Sequence, residues 1–240
     1  MKFAAFLVPV SILALSLTSC KKEKIFGVIG KGKTVTEYRI VSGFDKISLS
    51  VNADVYFVQD SIYSLEVSGQ SNVLSVLETD VDDHELEIEF DKRVYKHSKV
   101  TIIVHAPSIT EFEISGSGKI ESQSPVVTNS MRLKISGSGN IYIPTLNTAI
   151  LEANISGSGN IQIANGTITS ERLTVSGSGD IDAVNAIAAH ASAKISGSGD
   201  ISLHVTETLD ATISGSGNIK YQGTPAVNVN ISGSGKVIHL

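Results

Sequence analysis

An all-β chain wound as a parallel β-helix, a single-stranded solenoid with about 20 residues per coil, is what the sequence predicts, and three observations carry the prediction. The string Ser-Gly-Ser-Gly occurs seven times, beginning at Ser115, Ser136, Ser156, Ser176, Ser196, Ser214 and Ser232, at spacings of 21, 20, 20, 20, 18 and 18 residues. A fixed period of this length marks a solenoid, whose units bury their apolar faces only against neighbouring copies. Before every string, apolar and polar residues alternate. Ile or Val stands directly before it, from Ile114 to Ile231, and two residues earlier stand Phe112, Leu133, Ala153, Leu173, Ala193, Ala211 and Val229, with polar residues between. Period 2 is the spacing of a strand with one buried face. After every string one polar residue precedes Ile or Val, as in Lys119-Ile120, Asn140-Ile141 and Asp180-Ile181, so a second strand starts beyond the glycines.

Strand, two-glycine corner and strand make part of one coil. Gly fits where positive φ or the close approach of stacked backbones excludes a Cβ. Copies one period apart then stack as parallel strands about 4.8 Å from each other, and seven coils span on the order of 30 Å. Helices are excluded by the poor helix propensity of Ser-Gly-Ser-Gly and by the period of its flanks. An antiparallel barrel or sandwich is the alternative, but hairpins do not reproduce one corner in one register every 20 residues.

The elements follow in chain order. The 240 residues allow one or two domains, 41% of them are hydrophobic and 18% charged. Lys2 precedes an apolar run from Phe3 to Leu17, 15 residues long, shorter than the roughly 20 that span a bilayer. Residues 1–19 therefore read as a signal peptide. Leu17-Thr18-Ser19-Cys20 resembles the lipobox of bacterial lipoproteins, which implies acylation of Cys20 and a membrane anchor. Several acyl chains hold far more firmly than the single chain that binds marginally. By the same resemblance, the absence of Asp after Cys20 points to the outer membrane, with either the periplasmic or the surface face open to the body. Residues 20–34, with Lys21, Lys22, Lys24, Gly27, Gly30 and Gly32, read as a flexible tether. The lone Cys leaves no internal disulfide, and a formal charge of −5 argues against a nucleic-acid surface.

The body, residues 35–240, has two textures: irregular N-terminal coils over 35–111 and repeat coils over 112–240. In the first, apolar runs around Ile47-Ser48-Leu49 and Val55-Tyr56-Phe57 are broken by a turn signal at Asn52-Ala53-Asp54. Glu85 to Phe90 alternates glutamates with Leu86, Ile88 and Phe90, and Lys99 to Val104 reads as its neighbouring strand. Eight acidic residues between Glu78 and Asp91 read as a solvated strand face rather than a cation site.

The repeated Ile-Ser-Gly-Ser-Gly-Asn/Asp-Ile motif, the Phe44-Asp45-Lys46-Ile47 opening, the strand from Val100 to Pro107 ending in Ala-Pro, and the lipobox together resemble the auto-transporter adhesin head GIN domain family. The resemblance covers roughly residues 43–240. It implies a right-handed β-helix on secreted proteins and lipoproteins of Bacteroidetes-type bacteria, with no established activity and no catalytic residues to carry over.

Candidate sites are few. The glycine strings are followed by strands, not by the helix N-terminus of a phosphate loop, and the nine-residue period of calcium-binding β-rolls is absent. Asp180 and Asp200 occupy one repeat position and stack one coil apart, so that with Asp182, Asn160 and Asn218 they form a candidate cation site; Asn140 and Asn160 suggest an amide ladder. Asp182, Asp200 and Arg172 are the residues that a polysaccharide-processing β-helix would have to use. His84, His97, His105, His190, His204 and His239 show no metal-ligand spacing. No catalytic residue, cofactor or metal ligand is assigned. The expected protein is a lipid-anchored, non-enzymatic structural or adhesion module of the cell envelope. Its partners are the membrane through Cys20, a cell-surface or polysaccharide ligand, and a second copy through stacking of the end coil. A carbohydrate-binding or processing β-helix and an envelope-sensing component are the alternatives.

Overall fold

The computed structural model describes residues 27–240, so the predicted signal peptide, Cys20 and the first part of the tether lie outside the described residues. Strands make up 68% of the chain and helix 2%, wound into a β-solenoid of about 6 turns with roughly 20 residues each. The strands Val126–Gly137, Leu146–Gly157 and Gly166–Gly177 each cover two faces of a coil. Their in-out alternation slips at one point, where Ala149 and Ile150 in succession turn outward before Leu151 is buried again. The strand bends there, and the part up to the glycines forms the first face. Beyond the glycine corner, Lys119–Ser122, Asn140–Ile143 and Asn160–Ile163 form the second face. The N-terminal halves of the long strands form the third.

Successive coils pair parallel and in register, so like residues stack in rows. Ile135, Ile155, Val175, Ile195, Ile213 and Ile231 make one such row. Each fully buried aliphatic side chain stabilises the fold by about 1.5–3 kcal/mol. The row is sealed along its length, with Ile114 at 0% and Ile213 at 1% exposure, until Ile231 reaches 42%. The shortening of the period from 20 to 18 residues is absorbed by irregular pairing between Ala183 and Ile187 and between Ala188 and His190, near the bends of the coil.

The glycines are required by contact as well as by conformation. Gly157 has φ +144°, and a Cβ there would run into the carbonyl oxygen of Gly137 one coil away. Its partner across the corner, Gly159, would likewise collide with the carbonyl of Gly139. Only a hydrogen side chain lets two coils approach to strand-pairing distance at this corner.

The N-terminal part is more regular than its sequence suggests, and it stacks out of chain order. Lys46–Leu49 pairs with Glu111–Ile114 on one side and with Glu85–Phe90 on the other, all parallel. Asp54–Gln59 likewise lies between Lys119–Ser122 and Thr101–Ala106. The coil of residues 46–59 therefore sits between residues 85–106, which lie beneath it, and the first Ser-Gly-Ser-Gly coil above. In it Ser50-Val51-Asn52-Ala53 takes the place of Ser115-Gly116-Ser117-Gly118. The expectation that the strand after Lys99 neighbours Glu85–Phe90 is corrected. Thr101–Ala106 pairs with Asp54–Gln59 and Ser64–Gln70 instead, because the two segments are successive faces of one coil.

The N-terminal end of the solenoid is closed by antiparallel strands. Ser64–Gln70 lies antiparallel on Thr101–Ala106, Thr34–Arg39 on Ser64–Gln70, and Leu77–Asp82 on Glu85–Phe90. The short helix Ser71–Leu74 pushes Val73 and Leu74 into the core. Arg39 braces this cap, donating to the carbonyls of Leu77 at 2.6 Å and Leu74 at 2.9 Å. The span expected as a tether is ordered in its second half. Val28–Ile29 pairs with Val94–Lys96, and the Lys31 amide donates to Asn72 Oδ1 at 2.9 Å.

Replacing Gly177, which has φ +144° and touches the Gly157 carbonyl, by Ala forces strain and a backbone shift at once. The expected loss is about 2–4 kcal/mol of unfolding free energy in urea titration. Replacement of the neighbouring exposed Ser176 by Ala is expected to stay within about 0.5 kcal/mol. Equal effects at the two positions would refute the stacking role.

Candidate functional site

The residue after each glycine corner starts the second face, and at Asn160, Asp180 and Asp200 its side chain reaches the corner of the next coil. Asn160 Nδ2 donates to Asn140 Oδ1 at 3.0 Å, the amide contact expected of a ladder. From the next coil on, the row caps main chain. The Asp180 amide donates to Asn160 Oδ1 at 3.3 Å, the Asp200 amide to Asp180 Oδ1 at 2.7 Å, and the Asn218 amide to Asp200 Oδ1 at 2.8 Å. Asp and Asn share an acceptor oxygen at the same reach, which is why either serves at this repeat position.

The stacked Asp180 and Asp200 are arranged for this capping. The other Asp200 oxygen accepts from Lys220 Nζ at 2.8 Å, so a lysine of the chain supplies the cation. Burial pushes the Asp200 carboxyl up, but the Lys220 ammonium and the Asn218 amide outweigh it and hold it below the usual carboxylate range. Asp182 turns away, with Oδ1 accepting from the Val184 amide at 3.2 Å. Among the described residues no group of three or more His, Cys, Asp or Glu is placed to hold a metal ion.

The trio Asp182, Asp200 and Arg172 is not brought together. Arg172 lies on the first face, stacked between Glu152 and Ser192, across the glycine corner from Asp200. The histidines are equally dispersed. His84 Nδ1 contacts the Gly43 carbonyl at 2.9 Å, His105 contacts Asp60 at 3.3 Å, His190 contacts Thr208 Oγ1 at 2.9 Å, and His239 packs on Tyr221.

Two features went unread in the sequence. The first is an open cleft of about 310 Å³ along the bend between the third and first faces, lined among others by Ile150, Glu152, Arg172, His190, Thr208 and Asp210. The Asn154 amide, Arg132 and Arg172 hold the Glu152 carboxyl below the usual range, against the effect of burial. Glu152 is therefore a fixed anion at neutral pH and suits charge pairing rather than proton donation.

The second feature is Glu171, which is 3% exposed, with neither carboxyl oxygen hydrogen-bonded. It occupies the inward row of Met131, Leu151, Ala191 and Leu209. Burial alone pushes its carboxyl from 4.5 up to about 8. The signal was a charged residue at an inward position, five residues before the string at Ser176. Its two carboxyl oxygens are buried, and Glu171 is at the same time one of the residues that line the cleft.

A pH dependence follows from this burial. The folded carboxyl keeps its proton to about pH 8, whereas the unfolded one releases it near 4.5. Between those values the unfolded state binds fewer protons, so stability is greatest below the unfolded pKa and falls by about 1.4 kcal/mol per pH unit until the folded pKa is passed. Glu171→Leu is expected to remove that slope and to raise the melting temperature more at pH 8.5 than at pH 5. Parallel melting profiles for the two proteins would exclude the effect. At the ladder, Asp200→Ala is expected to cost about 1 kcal/mol, and Asp200→Asn, which keeps the acceptor, less than half of that in urea unfolding.

With the geometry described, the similarities to known proteins take on meaning. The family model described as "Putative auto-transporter adhesin, head GIN domain" matches residues 43–225. A structure described as a putative adhesin from Bacteroides fragilis is 27% identical with a TM-score of 0.83, the match covering 89% of this chain and 100% of that one. A putative adhesin from Parabacteroides merdae is 25% identical with a TM-score of 0.72, covering 89% and 98%. A Parabacteroides distasonis protein described as a putative lipid binding protein is 27% identical with a TM-score of 0.73, covering 89% and 99%. No curated protein matches the chain.

Proposed function

The chain belongs to the auto-transporter adhesin head GIN domain family, and from that premise we propose that it is a lipid-anchored, non-enzymatic adhesion or interaction module of the cell envelope. One observation carries this reading. The polar rows outside the solenoid run in register from coil to coil, and many of their charges pair with each other, so the body offers long, regular faces. Arg132 bridges Glu111 at 3.3 Å and Glu152 at 3.2 Å, and Lys134 reaches Glu111 at 2.6 Å and Glu113 at 3.3 Å. Among the described residues, the one carboxyl pushed strongly up, that of Glu171, has both oxygens buried. A general acid must reach its substrate, and the buried oxygens of Glu171 would first have to be uncovered from the wall of the cleft.

Anchoring rests on Leu17-Thr18-Ser19-Cys20, outside the described residues. With Cys20 acylated, the ordered body begins within about ten residues of the bilayer, because Val28–Ile29 already pairs with Val94–Lys96. The outer membrane is the proposed site. The ligand is a cell-surface molecule or polysaccharide lying across the coils.

Cys20→Ala is expected to move the protein from the membrane fraction to the soluble one, with mass spectrometry showing loss of the acyl chains; an unchanged membrane fraction would overturn the anchor. Protease added to intact cells is expected to cleave a surface-displayed body and to spare a periplasmic one, which separates adhesion from an internal envelope role.

A further inference from the structure

The two ends of the solenoid are built differently. At the N-terminal end the edge strand Leu77–Asp82 carries Glu78, Asp80 and Asp82, which lie opposite Glu89, Glu87 and Glu85. Like charges placed directly across a strand pair repel, and charge on an edge blocks further pairing. The other N-terminal edge, Thr34–Arg39, bears Glu37 and Arg39. At the C-terminal end, Ala226–Gly233 pairs only with Ile201–Gly215 among the described residues, and Val237–His239 only with Ile219–Gln222. This last coil has no charged residue from Tyr221 to Gly235. It keeps the inward row positions of the coils before it, yet leaves Val227 39%, Val229 45% and Ile231 42% exposed. A free, neutral strand edge with an uncovered core row accepts another strand edge of the same kind.

We propose that the C-terminal coil is a self-association surface, on which a second copy of this chain docks end to end through a twofold axis and pairs Ala226–Gly233 antiparallel with its own counterpart. Directly opposite residues of an antiparallel pair share a face. Centring the axis on Val229 therefore sets Val227 against Ile231 of the second copy and runs the two apolar cores together. The edge meets itself without like-charge repulsion. The two Lys236 ammonium groups fall at opposite ends of the joined strands, on the order of 25 Å apart and beyond the screening length at physiological salt. A head-to-tail filament is disfavoured, since it would set the neutral edge against the acidic one and cover no second apolar row. A twofold contact closes on itself, so the assembly stops at a dimer. The end face offers on the order of 500 Å² per copy, at the low end of specific interfaces. The association is accordingly weak and dependent on concentration.

Sedimentation equilibrium of the full chain carrying Cys20→Ala, which removes any lipid contribution, is expected to show a monomer-dimer equilibrium with a dissociation constant of about 10–100 μM. Asn230 is exposed and stands between Val229 and Ile231 on the outward side. It is thus open to charge without disturbing the core. Across the proposed axis the two copies of residue 230 are diagonal neighbours at about 7–8 Å. Asn230→Lys and Asn230→Asp are each expected to weaken the dimer at least threefold, and a 1:1 mixture of the two to restore it. Circular dichroism and melting curves matching the parent establish that both variants fold. A strictly monomeric parent, assembly beyond the dimer, or a mixture that associates no better than either folded variant alone would each overturn the proposal.

Discussion

Where Gly157 rests on Gly137, nothing but main chain separates one coil from the next, and the geometry of the molecule is set by that approach. The amide of Ser158 donates to the Gly137 carbonyl at 2.8 Å, and the same bond recurs from Ser178 to Gly157 and from Ser198 to Gly177. Because the corner admits no Cβ, it fixes the register of the strands on either side. A slip by one residue would bring Ser onto the stacked carbonyl and turn every inward Ile to solvent. The aliphatic rows supply most of the stabilising free energy, but they tolerate exchange among Ile, Val, Leu and Ala. The stacked glycines from Gly137 on tolerate none, so they specify which of the many apolar pairings is formed.

The same constraint explains what was legible in the sequence. Ser-Gly-Ser-Gly recurs because, from Gly137 on, a Cβ at these glycines would collide with the coil before, so period, coil length and first-face alternation are legible in the sequence alone. The coil of residues 46–59 reads as irregular because its corner is Ser50-Val51-Asn52-Ala53. Side chains fit there, since the coil beneath opens at that level into the long excursion of residues 91–100 that pairs with Val28–Ile29. The parallel between Leu49-Ser50-Val51-Asn52-Ala53-Asp54-Val55 and Ile114-Ser115-Gly116-Ser117-Gly118-Lys119-Ile120 was present in the sequence. Without the glycines, however, nothing local marked it as the same corner. Stacking out of chain order was illegible for a different reason. It depends on which partner each edge finds after the chain has doubled back through Ser64–Gln70, and local pattern carries no information on that choice.

The candidate site is legible by position, while the partners of its carboxylates are not. The sequence places Asp180 and Asp200 one above the other, and two carboxylates at strand spacing suggest a bound cation. In three dimensions each carboxylate faces a main-chain amide left over at the corner of the next coil, and Lys220 approaches Asp200 from two residues beyond Asn218 in that same coil. An unsatisfied amide at a corner costs about as much as a lost hydrogen bond. Asn or Asp at this position removes that cost for the following coil. Side chains that are chemically reactive in isolation are thus bound into the ladder. Glu171 is the exception: it takes a Leu position in the core and satisfies no neighbour.

In a solenoid every coil covers the one before, so the two outermost coils need some other cover for their free faces. The N-terminal end resolves this within the chain by antiparallel strands, the Ser71–Leu74 helix and the Arg39 brace, and it turns a charged edge outward. Among the described residues, the outermost C-terminal strands, Ala226–Gly233 and Val237–His239, carry none of these devices. An uncharged edge with Val229 and Ile231 exposed is an aggregation hazard for a monomer in free solution. It becomes tolerable when the edge is covered by its own copy or when tethering keeps encounters two-dimensional and oriented. On a membrane, bodies held at their N-terminal side would present C-terminal ends away from the bilayer, where a twofold contact joins bodies on facing membranes rather than neighbours on one. The proposed end-to-end pairing and an adhesion-like role are therefore physically compatible.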